Sequence, residues 1–218
     1  MSLRLAVFDC DGTLVDGQGA VVSAMSTAFA QTGLPAPDPN AVRRVVGLSL
    51  PQAVARLAPE AGADQVRDAV GAYKAAFRAA RASGLLAEPL FPGIATLLAD
   101  LAGAGWTLAI ATGKSDRGLA HCLATHGIAC HFASLQTADR HPSKPHPAML
   151  EAALFETAAD AADAVMIGDT AYDMAMAASI GVRAVGVAWG YHEAPELIAA
   201  GAEYVARDAA DLKEYLLG

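Results

Sequence analysis

The chain repeats one simple pattern, in which a short apolar run is followed by a stretch with helical spacing. The apolar runs cover residues 3–8, 106–112, 130–135, 164–167 and 183–188. Glycines at positions 127 and 181 end two of the helical stretches between them. Strands that alternate with helices pair into parallel sheets whose faces the helices cover. We therefore predict an α/β fold with a parallel sheet.

One interval breaks this pattern. Between residues 15 and 105 there is no convincing strand, and helical spacing recurs instead. The predicted helices cover residues 20–32, 40–46, 51–57 and 64–83. The segments at 17–19 and 88–93 are rich in Gly and Pro, which punctuate or hinge a chain. We predict an inserted α-helical cap domain at residues 17–88, hinged on a core built from residues 1–16 and 89–218.

Charge and composition exclude several classes of partner. The net charge is -8 and no cluster of Lys or Arg interrupts it, so we expect no nucleic acid. The first apolar run lies between Arg4 and Asp9 and is too short for a signal peptide or a membrane span. We expect a cytoplasmic protein with no membrane partner. Its three cysteines, Cys10, Cys122 and Cys130, are predicted to be reduced packing residues.

The first apolar run ends in the sequence FDCDGTLVD, with two carboxylates one residue apart. In a strand, residues i and i+2 point the same way, so Asp9 and Asp11 share a face beyond the carboxyl end of the strand. Like charges this close push one group toward its protonated form unless a cation intervenes, and a nucleophile and an acid can result. Gly12 and Thr13 allow a tight turn whose amides can approach an anion.

The later strand ends have matching polar groups. Thr112 and Lys114 follow the second core strand, Lys144 follows the third, and Asp169 and Asp173 follow the fourth. Only four lysines occur in the chain, and two of them sit at these ends. A nucleophile, a hydroxyl, an ammonium group and carboxylates for a hard cation suit phosphoryl transfer assisted by Mg²⁺.

The segments DCDGTLVD, ATGK, SKPHP and GDTAYD, in this order, resemble the four motifs of the haloacid dehalogenase superfamily of hydrolases. The insertion resembles the helical cap of the phosphoglycolate phosphatase-like branch. This resemblance implies a Rossmann-like core, a cap that closes over a small phosphorylated metabolite, and a Mg²⁺-dependent phosphatase, with 2-phosphoglycolate as the best guess.

The resemblance also implies roles for individual residues. Asp9 would attack phosphorus, and Asp11 would protonate the leaving oxygen and then activate water. Mg²⁺ would be held by Asp9, the backbone carbonyl of Asp11, and Asp169. Asp173 would support Lys144 or a water on the metal. The residues expected to bind phosphate are Gly12, Thr13, Thr112, Gly113 and Lys144.

Several alternatives stay open. An acid at Asp11 fits the phosphatases and not the dehalogenases of the superfamily, and the absence of Lys from residues 40–57 disfavours phosphonate cleavage. A sugar phosphomutase, a signalling receiver and a non-catalytic phosphate-ester binding protein are the rival functions. Arg43 and Arg44 are candidates for binding a substrate carboxylate, against a surface role. Asp16 and Lys114 are expected near the site without assigned roles, and the chain is expected to be a monomer or homodimer.

Overall fold

The computed structural model describes residues 3–218, in which six strands form one parallel sheet. The strands are β1 (Arg4–Phe8), β2 (Trp106–Thr112), β3 (Phe132–Thr137), β4 (Ala164–Gly168), β5 (Arg183–Val187) and β6 (Tyr204–Ala206). Their order across the sheet is β3-β2-β1-β4-β5-β6. The strand that comes first in the chain therefore lies in the middle, and Phe8 is level with Ile110 on one side and Ile167 on the other.

Four helices between β1 and β2 form the insertion. They are α1 (Gln18–Gln31), α2 (Pro39–Arg44), α3 (Leu50–Leu57) and α4 (Ala63–Ala82). Each lies within one or two residues of its predicted range. Met25, Phe29, Val42 and Val54 are buried in an apolar cluster of the insertion, separate from the clusters on the sheet. The insertion has its own core, as the predicted cap at residues 17–88 requires.

Six further helices cover the two faces of the sheet. They are α5 (Ile94–Gly103), α6 (Asp116–His126), α7 (Ala148–Thr157), α8 (Ala171–Ser179), α9 (Ala194–Ala199) and α10 (Ala209–Leu217). Because side chains alternate along a strand, Ala6 and Phe8 pack with α5, α6 and α10, whereas Leu5 and Val7 pack with α7, α8 and α9. Within residues 3–218, no helix has both the length and the apolar character needed to cross a membrane.

The sequence missed some elements of the core. Strand β3 begins at Phe132 instead of residue 130, because residues Ala129–His131 form a short 3-10 turn. Strand β6 has only three residues, too few for a period-2 pattern. Helices α5, α9 and α10 were left unassigned. These misses concern the edge and faces of the sheet, and the predicted α/β class with a parallel sheet is confirmed.

The three cysteines do not behave alike. Cys10 and Cys122 are free and buried, with their sulfur atoms 3.9 Å apart between β1 and α6. Cys130 is free but exposed. The prediction of reduced packing residues is confirmed for the first two, and the packing role is wrong for Cys130.

The insertion leaves and re-enters the core at one junction. The amide of Asp16 donates to the carbonyl of Pro89 at 2.8 Å, and the amide of Phe91 donates to the carbonyl of Leu14 at 3.0 Å. The outgoing and returning segments thus pair with each other, close to the boundaries predicted at 16/17 and 88/89. We retain those boundaries as a proposal.

Truncation of the core tests this packing. Leu98, on α5, is fully buried beneath the sheet, so we expect Leu98→Ala to lower the free energy of unfolding by about 2–5 kcal/mol. Leu85→Ala is the matched control, because that side chain is 78% exposed. Urea denaturation measures both variants, and equal midpoints for the two would contradict the assigned core.

Candidate active site

Four strand ends meet at one edge of the sheet. Asp9 and Asp11 follow β1, Thr112 ends β2, Lys144 lies in the loop after β3, and Asp169 follows β4. The carboxyl ends of parallel strands point the same way, so the order of the strands brings these loops together. The structure gathers the residues that the sequence singled out at each strand end.

Asp9 is buried, and one of its carboxylate oxygens has no hydrogen-bond donor among the described residues. Its Oδ1 accepts the amide of Cys10 at 2.6 Å and lies 3.1 Å from the ammonium of Lys144. Its Oδ2 has no hydrogen-bond donor among the described residues. Burial raises the pKa of Asp9 to about 7, because the attraction of Lys144 is outweighed by burial and by the nearby charges of Asp173 and Asp11. Without a further cation, this carboxyl is readily protonated.

Lys144 is an ammonium group with no exposed surface. Its Nζ lies 2.6 Å from Oδ1 of Asp173 as well as 3.1 Å from Asp9. Burial alone would lower the pKa of Lys144, but the carboxylates of Asp173 and Asp9 raise it above its ordinary value. The ammonium therefore stays charged, as a group that neutralises phosphoryl oxygens must.

Asp173 is fixed from two directions. Its Oδ2 accepts both the amide of Thr170, at 3.1 Å, and the Thr170 hydroxyl, at 2.6 Å, at the start of α8. Its Oδ1 holds Lys144. A Cβ at Gly168 would lie 2.4 Å from Cγ of Asp173, so the strand end has no room for a larger residue. The contact expected between Asp173 and Lys144 is present.

Asp169 is enclosed by the loop after β1 and the loop after β5. Its Oδ1 accepts the hydroxyl of Thr13 at 2.9 Å, and its Oδ2 accepts the amide of Tyr191 at 2.9 Å. A Cβ at Gly12 or at Gly190 would lie 2.1 Å from an atom of Asp169. Burial raises the pKa of Asp169 well above its usual range, and the charges of Asp9 and Asp173 add to this effect. The close approach of both loops requires glycine at both positions.

The expected amide cradle differs from the prediction. The amide of Gly12 donates to the carbonyl of Val15 at 2.9 Å, and the amide of Thr13 donates to the carbonyl of Cys10 at 3.3 Å. The turn thus satisfies its own donors, as tight turns do, and the Thr13 hydroxyl is used on Asp169. In this structure, Gly12 and Thr13 hold the loop and Asp169 in position, and their amides do not point to an anion site as predicted.

Asp11 has a different environment from Asp9. The ammonium of Lys114 lies 2.9 Å from its Oδ1 and 2.6 Å from Oε1 of Glu88, with all three side chains at least 86% buried. Burial raises the pKa of Asp11 although Lys114 opposes this effect. No role was predicted for Lys114, and Glu88, which lies in the segment returning from the insertion, was not predicted to be part of the site. Asp16 is exposed and accepts the amide of Gln18, away from this group.

Thr112 and Gly113 line the cavity beside these carboxylates. The hydroxyl oxygen of Thr112 accepts the amide of Lys114 at 3.2 Å, so its proton remains free to donate elsewhere. A Cβ at Gly113 would lie 2.6 Å from the carbonyl oxygen of Leu48. Gly113 therefore allows the loop between α2 and α3 to contact the end of β2.

The insertion lies over the strand ends. The amide of Ser49 donates to the hydroxyl of Ser143 at 2.7 Å, and the hydroxyl of Tyr172 donates to the carbonyl of Arg44 at 3.1 Å. The first bond joins the α2–α3 loop to the loop that holds Lys144, and the second joins the end of α2 to the start of α8, just after Asp169. A cavity of about 390 Å³ is left between the insertion and the core, with Asp9 and Asp11 in its wall.

The structure does not bring Arg43 and Arg44 to this cavity. The guanidinium of Arg43 donates to Asn40 at 2.7 Å, and that of Arg44 pairs with Glu196 on α9. Neither lines the cavity, so the structure favours the surface role over the substrate role for these two residues. The cations that do line it are Lys74, Arg78, Arg81, Lys114 and Arg117.

This fold and site define an α/β enzyme of phosphoryl transfer, with carboxylates and an ammonium group at converging strand ends under a helical insertion. The model of the haloacid dehalogenase-like hydrolases matches residues 6–187. The chain therefore belongs to the haloacid dehalogenase-like hydrolase family, and it is an enzyme of the phosphatase type.

Individual relatives agree with this assignment. The probable phosphatase IndB of Dickeya dadantii is 41% identical over 202 residues, covering 90% of this chain and 86% of that protein. A phosphoglycolate phosphatase of Vibrio parahaemolyticus is 28% identical, covering 97% and 95%. A solved haloacid dehalogenase-like hydrolase from Streptococcus pneumoniae is 27% identical, with a TM-score of 0.85 over 98% of each chain.

The glycine opposite Asp169 gives a test of this geometry. In Gly190→Ala the new Cβ would lie 2.1 Å from Cβ of Asp169, so the carboxylate has to move. We expect the kcat for p-nitrophenyl phosphate hydrolysis to fall by about 10²-fold, because small misplacements in an active site have such effects. Gly19→Ala is the control, since no atom lies within 4 Å of its added Cβ. Equal activity of the two variants would contradict the packing described around Asp169.

Proposed function

We propose that this protein is a Mg²⁺-dependent phosphatase that hydrolyses a small phosphomonoester through a phosphorylated Asp9. The observation that supports it is the contrast between two neighbouring carboxyl groups. Asp9 is buried beside Lys144 with Oδ2 open, and Asp11 is paired with Lys114 at the cavity wall. Environments that differ in this way suit a nucleophile and a proton donor.

The residues present fit a divalent cation. Asp9, Asp169 and Asp173 each offer a carboxylate oxygen, and these atoms lie within 4.8 Å of one another. The three buried carboxylates face a single buried ammonium, and Oδ2 of Asp9 lacks any donor within the described part of the chain. Asp9 and Asp169 would hold the ion, since Asp173 already binds Lys144 and Thr170. Mg²⁺ bound there supplies positive charge against the phosphoryl oxygens.

Asp11 is not part of this carboxylate cluster, because its side chain pairs with Lys114. The contribution predicted from its backbone carbonyl to the metal remains a proposal. The side chain is instead available for proton transfer, and burial raises its pKa in the direction that a general acid needs.

The first half of the reaction transfers the phosphoryl group to the enzyme. A carboxylate oxygen of Asp9 attacks phosphorus, and the bond from phosphorus to the ester oxygen breaks with its electron pair going to that oxygen. Protonated Asp11 gives its proton to the oxygen, so the product leaves as an alcohol.

The second half regenerates the enzyme. The carboxylate of Asp11 takes a proton from water as the water oxygen attacks phosphorus. The bond between phosphorus and Asp9 breaks, inorganic phosphate is released, and Asp11 is again protonated. Lys144 and the free hydroxyl proton of Thr112 orient the phosphoryl oxygens through both steps.

We propose 2-phosphoglycolate as the first substrate to examine, because a relative of full length is named phosphoglycolate phosphatase. The cavity enclosed by the insertion supports a small metabolite as partner, since a covered site keeps water away from the phosphorylated intermediate. The site is assembled from residues of a single chain, so the proposal holds for a monomer or a homodimer.

Removal of the nucleophile tests the proposal. With Mg²⁺ present, we expect the wild type to release phosphate from 2-phosphoglycolate and other small esters, and Asp9→Asn to lose at least ~10³-fold in kcat. The matched control is Asp16→Asn, an exposed carboxylate seven residues later in the same segment, which we expect to retain wild-type rates.

Other outcomes would replace the proposal. Isomerisation of glucose 1-phosphate with little phosphate released would favour a sugar phosphomutase. Tight binding of the esters without any turnover would favour a non-catalytic binding protein.

The raised pKa of Asp9 predicts how pH affects the metal-free protein. The folded state holds the Asp9 proton up to a pKa of about 7, whereas the unfolded chain releases it near the ordinary aspartate pKa of 3.8. Its contribution to stability is therefore lost as pH rises through this interval. Lys144 is charged in the folded and the unfolded protein over this whole pH interval, because its raised pKa affects stability only at higher pH.

Mg²⁺ requires the ionised carboxylate, so we expect it to raise Tm more at about pH 8 than at about pH 5.5. Thermal unfolding with and without the ion measures this difference. Asp9→Asn serves as control, because it should weaken the Mg²⁺ effect at both pH values and leave only the pH dependence that comes from the raised pKa of Asp169. An equal Mg²⁺ effect at both pH values in the wild type would contradict the assignment of Asp9 as a ligand.

A further inference from the structure

Helix α4 forms part of the cavity wall contributed by the insertion, together with residues 45–51. Its lining residues are Tyr73, Lys74, Phe77, Arg78 and Arg81. The three cations recur at intervals of four and three residues, which puts them on one side of the helix over a length of about 10 Å. The rings of Tyr73 and Phe77 stack beside them, with centroids 5.2 Å apart. The wall thus combines two aromatic rings with a row of positive charges.

These cations lack acidic partners. Across residues 3–218, Lys74, Arg78, Arg81 and Arg117 take part in no ion pair, although the protein has an excess of acidic residues. Eight other Lys and Arg residues are paired, including Arg67 on the same helix, which binds Asp64. The Nε of Arg81 is buried without a hydrogen-bond acceptor.

Acidic groups in the cavity do not account for this excess. Five cationic and three acidic residues line the cavity. Of the acidic three, Asp11 is paired with Lys114, Asp9 is paired with Lys144, and Asp139 accepts the amide of Asp116. The cations of α4 therefore face a space in which no protein carboxylate neutralises them, and a bound anion would do so.

We infer that the substrate has, besides its phosphoryl group, a planar apolar part that packs on Tyr73 and Phe77 and a second anionic group bound by Arg78 and Arg81. This inference rests on the proposed phosphatase function and narrows its substrate class. The anionic group is a carboxylate or a second phosphate, since the guanidinium fork binds both. Arg117 faces the same space from α6.

The size of the cavity supports a substrate larger than 2-phosphoglycolate. A volume of about 390 Å³ is within the range of sites that enclose ligands with a ring system. 2-Phosphoglycolate has a second anionic group but only one carbon between it and the phosphate ester. It has no ring that could pack on Tyr73 and Phe77.

Matched esters separate the parts of this inference. Phenyl phosphate has the ring alone, 4-carboxyphenyl phosphate adds a carboxylate, and 1,4-phenylene bisphosphate adds a second phosphate. We expect the wild type to hydrolyse at least one of the two aryl esters that have a second anionic group with a kcat/KM about tenfold or more above that of phenyl phosphate, chiefly through a lower KM. The better of the two identifies the anionic group. 2-Phosphoglycolate is expected to fall below this better ester.

The double variant Arg78→Gln/Arg81→Gln identifies the residues responsible. We expect it to raise the KM for the preferred ester with a second anionic group about tenfold. The KM for phenyl phosphate should stay within about twofold of the wild-type value. Arg67→Gln is the matched control on the same helix, because its side chain pairs with Asp64 and does not line the cavity. Circular dichroism verifies that the variants are folded.

Two results would overturn the inference. One is an equal kcat/KM of the wild type for phenyl phosphate and for both aryl esters with a second anionic group. The other is a preference that the double variant retains. In either case hydrolysis of phenyl phosphate would still support the phosphatase function.

Failure of the phosphatase function is recognised separately. If no ester is hydrolysed, calorimetric titration of wild-type protein with the same compounds tests the subsite alone. The subsite is supported if an aryl ester with a second anionic group binds more tightly than phenyl phosphate and this difference is lost in Arg78→Gln/Arg81→Gln. Equal binding of these compounds to the wild type would overturn it.

Discussion

The buried ammonium of Lys144 is the interaction on which the site depends. Three carboxylates, Asp9, Asp169 and Asp173, lie at the strand ends with almost no exposed surface. Burying so much negative charge is costly unless a cation is present, and Lys144 touches two of the three. Burial raises the pKa values of Asp9 and Asp169, and Lys144 does not fully offset this effect. The same imbalance that makes the metal-free site unfavourable creates a place for a divalent cation.

Lys114, the second lysine of the site, pairs with acidic groups from both the core and the returning segment of the insertion. Lys114 joins Asp11, which follows the central strand, to Glu88, which belongs to the segment returning from the insertion. The backbone carbonyl of Glu88 also contacts His126 at the end of α6. The group proposed as general acid is therefore connected to the place where the insertion joins the core. Opening of the insertion would alter the charges around Asp11 as well as the access of water.

The reacting groups at the strand ends were easier to predict from the sequence than the residues that line the cavity from the insertion. Strand ends converge in any parallel sheet, so the positions of Asp9, Lys144 and Asp169 after strands were enough to predict that they meet. Glu88 was missed because an acidic residue in a Pro-containing crossing segment has no periodic pattern. The contact of Tyr191 with Asp169 was not predicted, because it is made through the backbone amide, which any residue could supply.

The cationic residues show most clearly what could not be predicted from the sequence. Arg43 and Arg44 lie near the loop that covers the site, and proximity in sequence suggested a role for them. The packing of α2 on the core turns them toward Asn40 and Glu196 instead. The charges of α4 at 74, 78 and 81 have the spacing of an ordinary solvated helix face, and only the tertiary structure distinguishes them from one. Which face of a helix meets a site is decided by contacts distant in sequence.

The pairing of the two crossing segments beside Leu14 and Pro89 has an evolutionary consequence. Since the chain enters and leaves the insertion at one hydrogen-bonded junction and the insertion has its own apolar core, the mutations that change its cavity wall need not alter the sheet. Descendants of one ancestral core can thus diversify in the molecules they accept while the reacting groups are inherited unchanged.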